Sequence, residues 1–561
     1  MSTHARPLAD GLAAASDAEL AALLRVRGVR PDADWNDFFD AAEALLEPAS
    51  IERGLAALTR DQARALVAAT RGGADAGDRA LLVGTGLLDA QGRVPAPVAA
   101  AVAAHPEVSG AVRTEERSAS DAEEARAAEL AFTTVGALAD LLLVAQATPL
   151  ALVATGALSA TEKRRLAVQD DVDDLRVLAE LTGLAQPVDR ELRVTGTAEA
   201  WLAASFGTRW SLLVTALRDA LPAGVRSGAG WLPPDAWEGA HPWDDAWPDR
   251  ARGLQRLLVL LGLRTEDDAE PSWARPARQG DRVETAALEA LLPTEVDRIF
   301  LQNDLTAIAP GPLQPALDTR LRKMTEHEST AQVSSYRFTP DSIARALVDG
   351  EDEQSILSFL RELSLTGLPQ PLEYLVSQTA ARHGLVRVGP DPTGGTIVAS
   401  VDAHLLEAIE VDRNLRPMGL VRSGDHLVSR VSAETVAWAL SDARYPATLV
   451  DRYGTTVASR RRRVAPAAPA DPEDYAELIA RLRLRQGPDS DAAWLGRELE
   501  AAVRARAHVL VEVAMPDGST RRLTLEAAGI GGGRLRGRDR TADVERTLPV
   551  RSIRSVRVLE S

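Results

Sequence analysis

Apolar residues recur at helical spacing over much of the chain, in segments separated by glycine and proline. One pattern repeats in residues 79–104, 176–204 and 255–292, and a fourth copy spans 380–409. Each copy has a leucine-rich helix that ends at a Gly-Leu pair, then a stretch rich in turn residues, then another apolar helix. Glycine permits the left-handed residue that ends a helix, and the following stretch is typical of a hairpin. The pattern predicts repeated winged-helix-like units, with generic helix–loop–helix structure as the alternative.

Two local patterns near the start of the chain predict helix caps. Ser16 and Glu19 have the spacing of a capping box, so a helix should follow directly. Asp34 is expected to cap a second helix that runs through WNDFFDAAEALL. The acidic residues of 32–43 also imitate a calcium-binding loop, but Asp37 stands where the sharp turn of such a loop needs glycine. We therefore expect a helix cap here and no metal.

Two further segments show the residue alternation with a period of two that is typical of β-strands. In VSSYRFTP, Tyr336 and Phe338 fall on one side of a strand and should anchor it to a core. Thr339 then suits the N-cap of a helix, and Pro340 suits its first position. Residues 507–559 alternate β-branched residues between PDG and GIGGG turns, which predicts a small SH3-like β-barrel.

The order of segments between residues 298 and 390 carries a family resemblance. RIFLQNDLTAIAPGPL is followed by YRFTPDSIARAL and then by LSLTGLPQPLEYLVSQTAARHGLVRVG. This order resembles the N-terminal, non-motor domain of XPB-type DNA repair helicases. It also resembles actinobacterial helicase-associated domain proteins, which carry that domain without a motor, and this second resemblance extends over most of residues 1–455.

A second resemblance lies at the end of the chain, in GGGRLRGRDR followed by RTLPVRSIRSVRVL. These segments resemble the end of WYL-type domains, SH3-like modules that bind nucleotides or nucleic acid in bacterial regulators. The Trp-Tyr-Leu signature itself is not visible, so the resemblance covers only about the last tenth of the chain.

Together these patterns predict an α+β fold that is mostly α. Half of the 10 Trp residues lie between Trp231 and Trp273, in a Pro-rich piece expected to pack as an irregular loop over a core, with a ligand pocket as the alternative. The expected organisation is a helical, winged-helix-like unit (1–110), a charged linker (111–130), a second winged-helix-like unit (131–225), the Trp/Pro-rich segment with a third unit (226–295), an XPB-N-terminal-like domain (296–455), an Arg/Ala/Pro linker (456–475), and a helix with an SH3-like barrel (476–561).

Composition limits the chemistry. The chain has no Cys, which excludes disulfides, zinc–thiolate sites and a Cys nucleophile. The net charge is −17, but residues 504–561 carry 12 Arg and 7 acidic residues, a local charge of +5 that leaves −22 for the rest. The start lacks the layout of a signal peptide, and apolar runs such as 138–145 are too short to cross a bilayer. We therefore expect a soluble, cytoplasmic protein without membrane contact.

The sequence contains no recognisable catalytic motif. It has no GxxxxGK[ST] phosphate-binding loop, and its two lysines, Lys163 and Lys323, follow no glycine-rich loop. The 8 His residues show no HExxH or paired ligand spacing, and no GxSxG turn is present. We predict no catalytic residues, no metal and no cofactor.

The candidate nucleic-acid-binding residues are basic, and a solvated basic surface is the alternative for each group. The first group is a run of adjacent arginines in the Arg/Ala/Pro linker, expected to be an exposed tether. The second alternates like a comb near the end of the chain, and the third is expected at a helix start in the second unit. The groups are Arg460, Arg461, Arg462 and Arg463; Arg534, Arg536, Arg538 and Arg540; and Lys163, Arg164 and Arg165.

These observations predict a non-enzymatic, helicase-associated protein that binds DNA or a DNA-processing partner such as a helicase. The first alternative is a protein–protein scaffold without nucleic-acid contact, because the acidic body repels phosphate. The second is a transcriptional regulator whose C-terminal barrel senses a small ligand. The oligomeric state is open.

Overall fold

The computed structural model describes residues 5–82, 84–108, 117–166, 172–330, 333–391, 394–454, 457, 465, 474–485, 488–515 and 518–559. These residues form a mostly helical α+β protein with small sheets, as predicted. Their apolar side chains gather in five hydrophobic cores. The Arg460–Arg463 run lies outside the described residues.

The first core is helical. Ser16 and Glu19 form the predicted capping box, in which Ser16 N donates to Glu19 Oε2 at 2.8 Å. The second cap is Asp37 and not Asp34, because Asp37 Oδ1 accepts from the N–H groups of Phe39 and Asp40, both at 3.0 Å. The elements are α1 (Ala5–Ala14), α2 (Asp17–Val26), α3 (Phe38–Leu45), α4 (Pro48–Ala56), α5 (Arg60–Thr70), α6 (Ala76–Leu82) and α7 (Ala96–Ala104).

The second core is the largest and contains most of residues 121–292. Residues assigned in sequence to the second and third winged-helix-like units share it. Its elements are α8 (Asp121–Ala147), β1 (Leu150–Ala151), α9 (Ala160–Leu166), α10 (Val172–Leu181), β2 (Ala185–Val188), β3 (Glu191–Val194), α11 (Ala198–Ala203), α12 (Phe206–Ala220), β4 (Arg226–Ser227), β5 (Gly230–Trp231), α13 (Trp247–Leu260), α14 (Ala274–Gln279) and α15 (Ala286–Glu289).

Helix α8 lies at the centre of the second core. It begins at Asp121, so the predicted charged linker is helical from that residue onward, with Ala127 and Ala128 buried. Within the described part of the chain, α8 is the one helix long and apolar enough to cross a membrane, which the short run 138–145 did not indicate. Half of the residues in the most apolar 18-residue segment of α8 are buried. The position of α8 in the second core accounts for its apolar composition.

The Trp-rich segment packs over the cores as an irregular loop, as predicted. Trp231, Trp237, Trp247 and Trp273 are buried in the second core, and Trp243 is buried in the first. Indole N–H groups hold the loop by donating to backbone carbonyls: Trp237 to Leu232 at 2.7 Å, Trp273 to Gly262 at 2.8 Å and Trp243 to Pro106 at 3.1 Å. Each large side chain thus buries its ring and satisfies its one donor.

The third core lies beneath an antiparallel sheet of order β6-β7-β9-β8. Tyr336 and Phe338 are buried as predicted, and Thr339 caps α17 with Pro340 at its first position. Tyr336 Oη donates to Asp318 at 2.6 Å, and burial together with this carboxylate raises the pKa of Tyr336. The elements are β6 (Phe300–Leu301), β7 (Thr306–Ala309), α16 (Pro315–Lys323), β8 (Glu326–Thr330), β9 (Val333–Arg337), α17 (Pro340–Val348), α18 (Glu353–Leu363) and α19 (Gln370–Arg382).

The fourth core is covered on one side by a five-stranded sheet of order β12-β13-β11-β10-β14, in which only β10 and β14 pair in parallel. Its elements are β10 (Val386–Pro390), β11 (Thr396–Ser400), α20 (Ala403–Val411), β12 (Val421–Ser423), β13 (His426–Ser429), α21 (Ala433–Asp442) and β14 (Ala447–Leu449).

The fifth core joins a helix to an antiparallel sheet of order β18-β17-β16-β15-β19. No ladder joins β18 to β19 among the described residues, so the predicted closed barrel is not formed. Leu495 and Leu499 of α23 cover the apolar side of the sheet instead. The elements are α22 (Ala476–Leu484), α23 (Pro488–Arg504), β15 (His508–Ala514), β16 (Thr520–Gly531), β17 (Arg534–Asp539), β18 (Val544–Pro549) and β19 (Ile553–Leu559).

Helices α22 and α23 also return to the first core. Arg497 pairs with Asp37 and with Asp40, the latter at 2.5 Å, and lies over the Phe39 ring at 4.8 Å. The acids that imitate a calcium loop therefore cap a helix and bind arginine. The residues of this far segment that are buried in the first core are Tyr475, Leu478, Ile479, Leu482 and Trp494.

Two described residues of the Arg/Ala/Pro linker, Ala465 and Tyr475, are buried, contrary to the prediction of an exposed tether. Ala465 is 7% exposed, and its N–H donates to the carbonyl of Val194 in β3 at 2.7 Å. The chain is therefore anchored to the second core between the fourth core and α22.

The repeated Gly-Leu pattern is only partly a repeated structure. All four glycines have positive φ: Gly86 (65°), Gly183 (66°), Gly262 (63°) and Gly384 (82°). Hairpins follow in the second copy (β2–β3) and the fourth copy (β10–β11) alone. In the first copy the Asp89 side chain accepts from the N–H groups of Gln91 and Arg93, both at 2.9 Å, and closes a turn where the hairpin was predicted.

In the third copy, Thr265 and Ala269 close a turn in the same way. Thr265 N donates to the Ala269 carbonyl at 2.9 Å, and Ala269 N donates back to Thr265 Oγ1 at 2.9 Å. The predicted hairpins of the first and third copies are therefore wrong, because local side-chain acceptors take the backbone donors that a ladder needs.

Candidate nucleic-acid interface

In the second copy, the helix before the hairpin is enclosed. Every residue of α10 is buried or half-buried, and the helix packs against α8, α12 and α13. Its charged side chains have partners: Arg176 pairs with Glu180 at 2.6 Å and Asp174 with Arg256 at 3.1 Å. A helix covered in this way cannot enter a DNA groove.

The basic residues predicted in the second unit have local partners. They lie in the last turn of α9 rather than at a helix start. Lys163 pairs with Asp173; burial opposes ionisation of that carboxyl, but the lysine and its hydrogen bonds keep the pKa of Asp173 below its usual value. Arg165 pairs with Glu162 at 3.4 Å, and Arg164 Nε donates to the Ala160 carbonyl at 3.1 Å.

In the fourth copy, the corresponding helix α19 has one covered and one open side. Leu372 and Val376 are buried in the third core, where α19 packs against α17 and α18. On the other side, Tyr374 is 66% exposed and accepts from Gln378 Nε2 at 3.3 Å. The exposed residues of α19 include no acid and are Gln370, Pro371, Tyr374, Gln378, Ala381 and Arg382.

Exposed arginines recur from the end of α19 to residue 444. Six of them make no side-chain hydrogen bond or ion pair within the part of the chain that the structure describes. Arg422 differs, because it approaches Glu410 at 3.9 Å. The six are Arg382, Arg387, Arg413, Arg416, Arg430 and Arg444.

Two of these arginines, Arg387 and Arg430, lie on or directly after strands of the fourth-core sheet. Arg387 lies on the exposed side of β10, and its register neighbours are Ala399 in β11 and Thr448 in β14. Arg430 follows β13 directly beside the hairpin turn. At that turn Gly395 (φ 110°) lies so close to the Ser429 carbonyl that an added Cβ would be 2.5 Å from its oxygen. The turn therefore needs glycine, and its packing fixes the backbone next to Arg430.

The predicted comb is present on β17. Arg534, Arg536 and Arg538 are exposed on one side of the strand, and Arg540 follows its end. Arg538 is neutralised locally: it pairs with Asp543 at 2.8 Å, and this carboxylate raises the pKa of Arg538. Glu526 and Glu545 are its register neighbours on the two flanking strands.

The other two strand arginines have no acid opposite them. The register neighbours of Arg534 are Gly531 and Pro549, and those of Arg536 are Gly529 and Thr547. Only part of the comb therefore remains available to an external anion.

The open side of α19 was missed in sequence, although a signal for it exists. Tyr374, Gln378 and Arg382 are spaced four residues apart, so they share one side of a helix opposite Leu372 and Val376. By contrast, Tyr336, Phe338, Thr339 and Pro340 serve folding, as expected.

One of the comparisons with known proteins is located in this same region. A family model described as a helicase conserved C-terminal domain matches residues 299–424. Over 134 residues, the chain is 29% identical to the DNA 3'-5' helicase XPB of Mycobacterium tuberculosis, covering 24% of this chain and 22% of that protein. Over 98 residues it is 30% identical to the DNA 3'-5' helicase XPB of Kineococcus radiotolerans, covering 18% of this chain and 17% of that protein.

The chain thus spans about a fifth of the length of these relatives. Residues 299–424 are related to helicases, and the predicted similarity to XPB-type helicases is confirmed at that level. The matching model is described as a C-terminal helicase domain, whereas the sequence resemblance indicated an N-terminal, non-motor domain. The WYL-type resemblance of the last residues stays a prediction.

Proposed function

We propose that this chain is a non-enzymatic, helicase-associated protein that binds DNA through residues 370–444. The supporting observation is the set of exposed, partner-free arginines within and beside the helicase-related segment. A free guanidinium group can neutralise a phosphate without first breaking an ion pair. The net negative charge of the whole chain makes such a local patch necessary for DNA binding.

DNA is the proposed ligand because both named relatives are DNA helicases. Their ATP-driven activity is not carried over. The sequence has no phosphate-binding loop, and both lysines are in ion pairs, Lys163 with Asp173 and Lys323 with Glu199 at 3.7 Å. We propose that motor activity, where needed, comes from a separate helicase or other DNA-processing partner.

The test is fluorescence anisotropy with duplex, single-stranded and forked DNA at low salt. Replacing Arg387, Arg416 and Arg430 by Ala should weaken binding at least ten-fold and reduce the salt slope by about 3. The matched control removes three arginines that are already paired, Arg71, Arg193 and Arg252, and should change the affinity less than two-fold. No binding by the unmodified protein, or equal losses in both triple variants, would contradict the proposal.

A protein partner is the second candidate, and exposed apolar side chains favour it. Val401 is 94% exposed, Val411 75%, Val421 62% and Tyr453 76%, all in or beside the fourth core. Clustered exposed apolar residues are typical of protein contact sites. If a partner binds here, Val401→Asp with Val421→Asp should abolish its co-purification from nuclease-treated lysate and leave DNA affinity unchanged.

A further inference from the structure

The exposed residues on the open side of α19 are not part of the third core. Its three regularly spaced residues, Tyr374, Gln378 and Arg382, point away from the third core, whereas Leu372 and Val376 hold the helix to that core. Glu373, at the edge of the open side, is paired with Arg361 at 2.7 Å. The helix therefore offers polar and aromatic groups on a supported element, without a free carboxylate on its open side.

The residue types on this side match the edges of base pairs. A glutamine amide can make two hydrogen bonds to adenine, and an arginine guanidinium can make two to guanine. The apolar parts of Tyr374 and Ala381 can contact a thymine methyl group. Along the helix, Tyr374 and Arg382 are about 12 Å apart, since each residue rises about 1.5 Å. A helix with its side chains is about 10–12 Å across, so it fits a major groove that is about 12 Å wide.

A phosphate-binding group follows α19 at short range. Arg387 is exposed and lies five residues after Arg382, so their Cα atoms are at most about 18 Å apart. That span is smaller than one turn of duplex DNA, about 34 Å. The connection is defined by Gly384 (φ 82°), which ends the helix, and by the pairing of β10 with β11 and β14.

We infer that α19 enters the major groove of duplex DNA, with Gln378 and Arg382 at base edges and Arg387 on the phosphate backbone. This inference rests on the proposed DNA binding and specifies its mode. A single-stranded ligand fits less well, because sites for single strands stack successive bases on several aromatic side chains. Among the exposed residues of α19, Tyr374 is the one aromatic side chain.

The experiment uses the full chain and a random duplex pool, from which bound sequences are selected, with anisotropy on the selected duplex and on its single strands. Gln378→Ala should lose the sequence preference and weaken binding to the selected duplex about ten-fold, without changing the salt slope. Arg387→Ala should weaken binding to all duplexes alike and lower the salt slope by about 1. Ser377→Ala is the matched control, because Ser377 Oγ donates to Glu353 on α18 at 2.5 Å and faces away from the open side.

The outcomes separate the binding mode from the binding itself. Equal affinity for single strands and duplex, or unchanged binding by Gln378→Ala and Arg382→Ala alongside a loss with Arg387→Ala, would overturn groove entry and leave DNA binding intact. No binding to any DNA would overturn both. Because Tyr374, Gln378 and Arg382 are exposed, their alanine variants should keep the thermal stability of the parent, which a melting curve checks.

Discussion

The second and fourth copies of the Gly-Leu pattern share a local structure and differ in their surroundings. Both have a helix, a glycine with positive φ (66° in Gly183, 82° in Gly384) and an antiparallel hairpin. Helix α10 of the second copy lies within the largest core, whereas α19 of the fourth has an open side. The same motif thus serves as part of a core in one place and as a surface in the other. The motif alone therefore does not indicate nucleic-acid binding.

The charges of the two copies differ in the same way. In the second copy, Asp173, Asp174 and Arg176 have partners within the protein. In the fourth, Arg382 and Arg387 have none among the described residues. Enclosed charges are expected to affect stability, and free charges to affect binding. Three predictions test this division, in order of decreasing effect.

The largest effect is expected for an ion pair that joins α16 of the third core to α8 of the second core. Arg322 of α16 pairs with Asp318 at 2.9 Å and with Asp140 of α8; although burial disfavours its charge, the two carboxylates raise the pKa of Arg322. Arg322→Ala would leave Asp318 largely buried without its cation and should lower the free energy of unfolding by about 3 kcal/mol, measured by urea denaturation.

The matched control for Arg322 is its neighbour Lys323, whose ion pair with Glu199 is more exposed. Lys323→Ala should cost less than about 1 kcal/mol. Equal effects of the two substitutions would show that enclosure does not determine the contribution of these charges.

The second prediction concerns an enclosed charge without a good partner. Glu498 of α23 is 6% exposed and lies 3.6 Å from Arg6, and its Oε2 has no hydrogen-bond partner among the described residues. Burial raises the pKa of Glu498 to about 7; Arg6 lowers it and Asp10 raises it further. The folded-state pKa is thus above the unfolded value of about 4.3.

The neutral form of Glu498 is therefore favoured by folding. Its contribution to stability is complete below pH of about 4.3 and is lost as the pH rises to about 7, so unfolding should cost up to about 3 kcal/mol less at pH 8 than at pH 4 from this group. Glu498→Gln should remove that part of the pH dependence in denaturation curves, whereas Glu500→Gln, at an exposed position of the same helix, should retain it. An unchanged slope in Glu498→Gln would contradict the prediction.

The smallest effect is expected for the partly exposed pairs of α9 in the second unit. The double variant Lys163→Ala with Arg165→Ala should change stability by less than about 1 kcal/mol. It should also leave DNA affinity within two-fold, because both side chains already have acidic partners and lie far in sequence from α19. If the double variant lost as much DNA affinity as Arg387→Ala, the conclusion that only the arginines without protein partners contribute to DNA binding would be contradicted.

Short-range features were predictable from the sequence. The Ser16 capping box, the burial of Tyr336 and Phe338, and the positive φ after each repeated helix depend on a few neighbouring residues. The alternation of arginines in β17 follows from strand geometry alone.

Long-range features were not predictable from one sequence. The enclosure of α10 depends on α8, α12 and α13, and the neutralisation of Arg538 depends on strand register. At the second helix cap, Asp37 rather than Asp34 meets the backbone donors, and its second oxygen binds residues of α23. The four-residue spacing that places Tyr374, Gln378 and Arg382 on one side of α19 is visible in the sequence. Which side of α19 is exposed depends on how the helix packs against α17 and α18, and the sequence does not show this packing.

The return of α22 and α23 to the first core has a consequence for the order of folding during synthesis. Most of that core lies before residue 103, and its last member, Trp494, is translated about 390 residues after Val102. At roughly 5–20 residues per second, the delay is on the order of 20–80 s. Throughout that interval Phe39 lacks its ring contact with Trp494, and Asp37 lacks Arg497. This segment therefore completes its core long after it has left the ribosome.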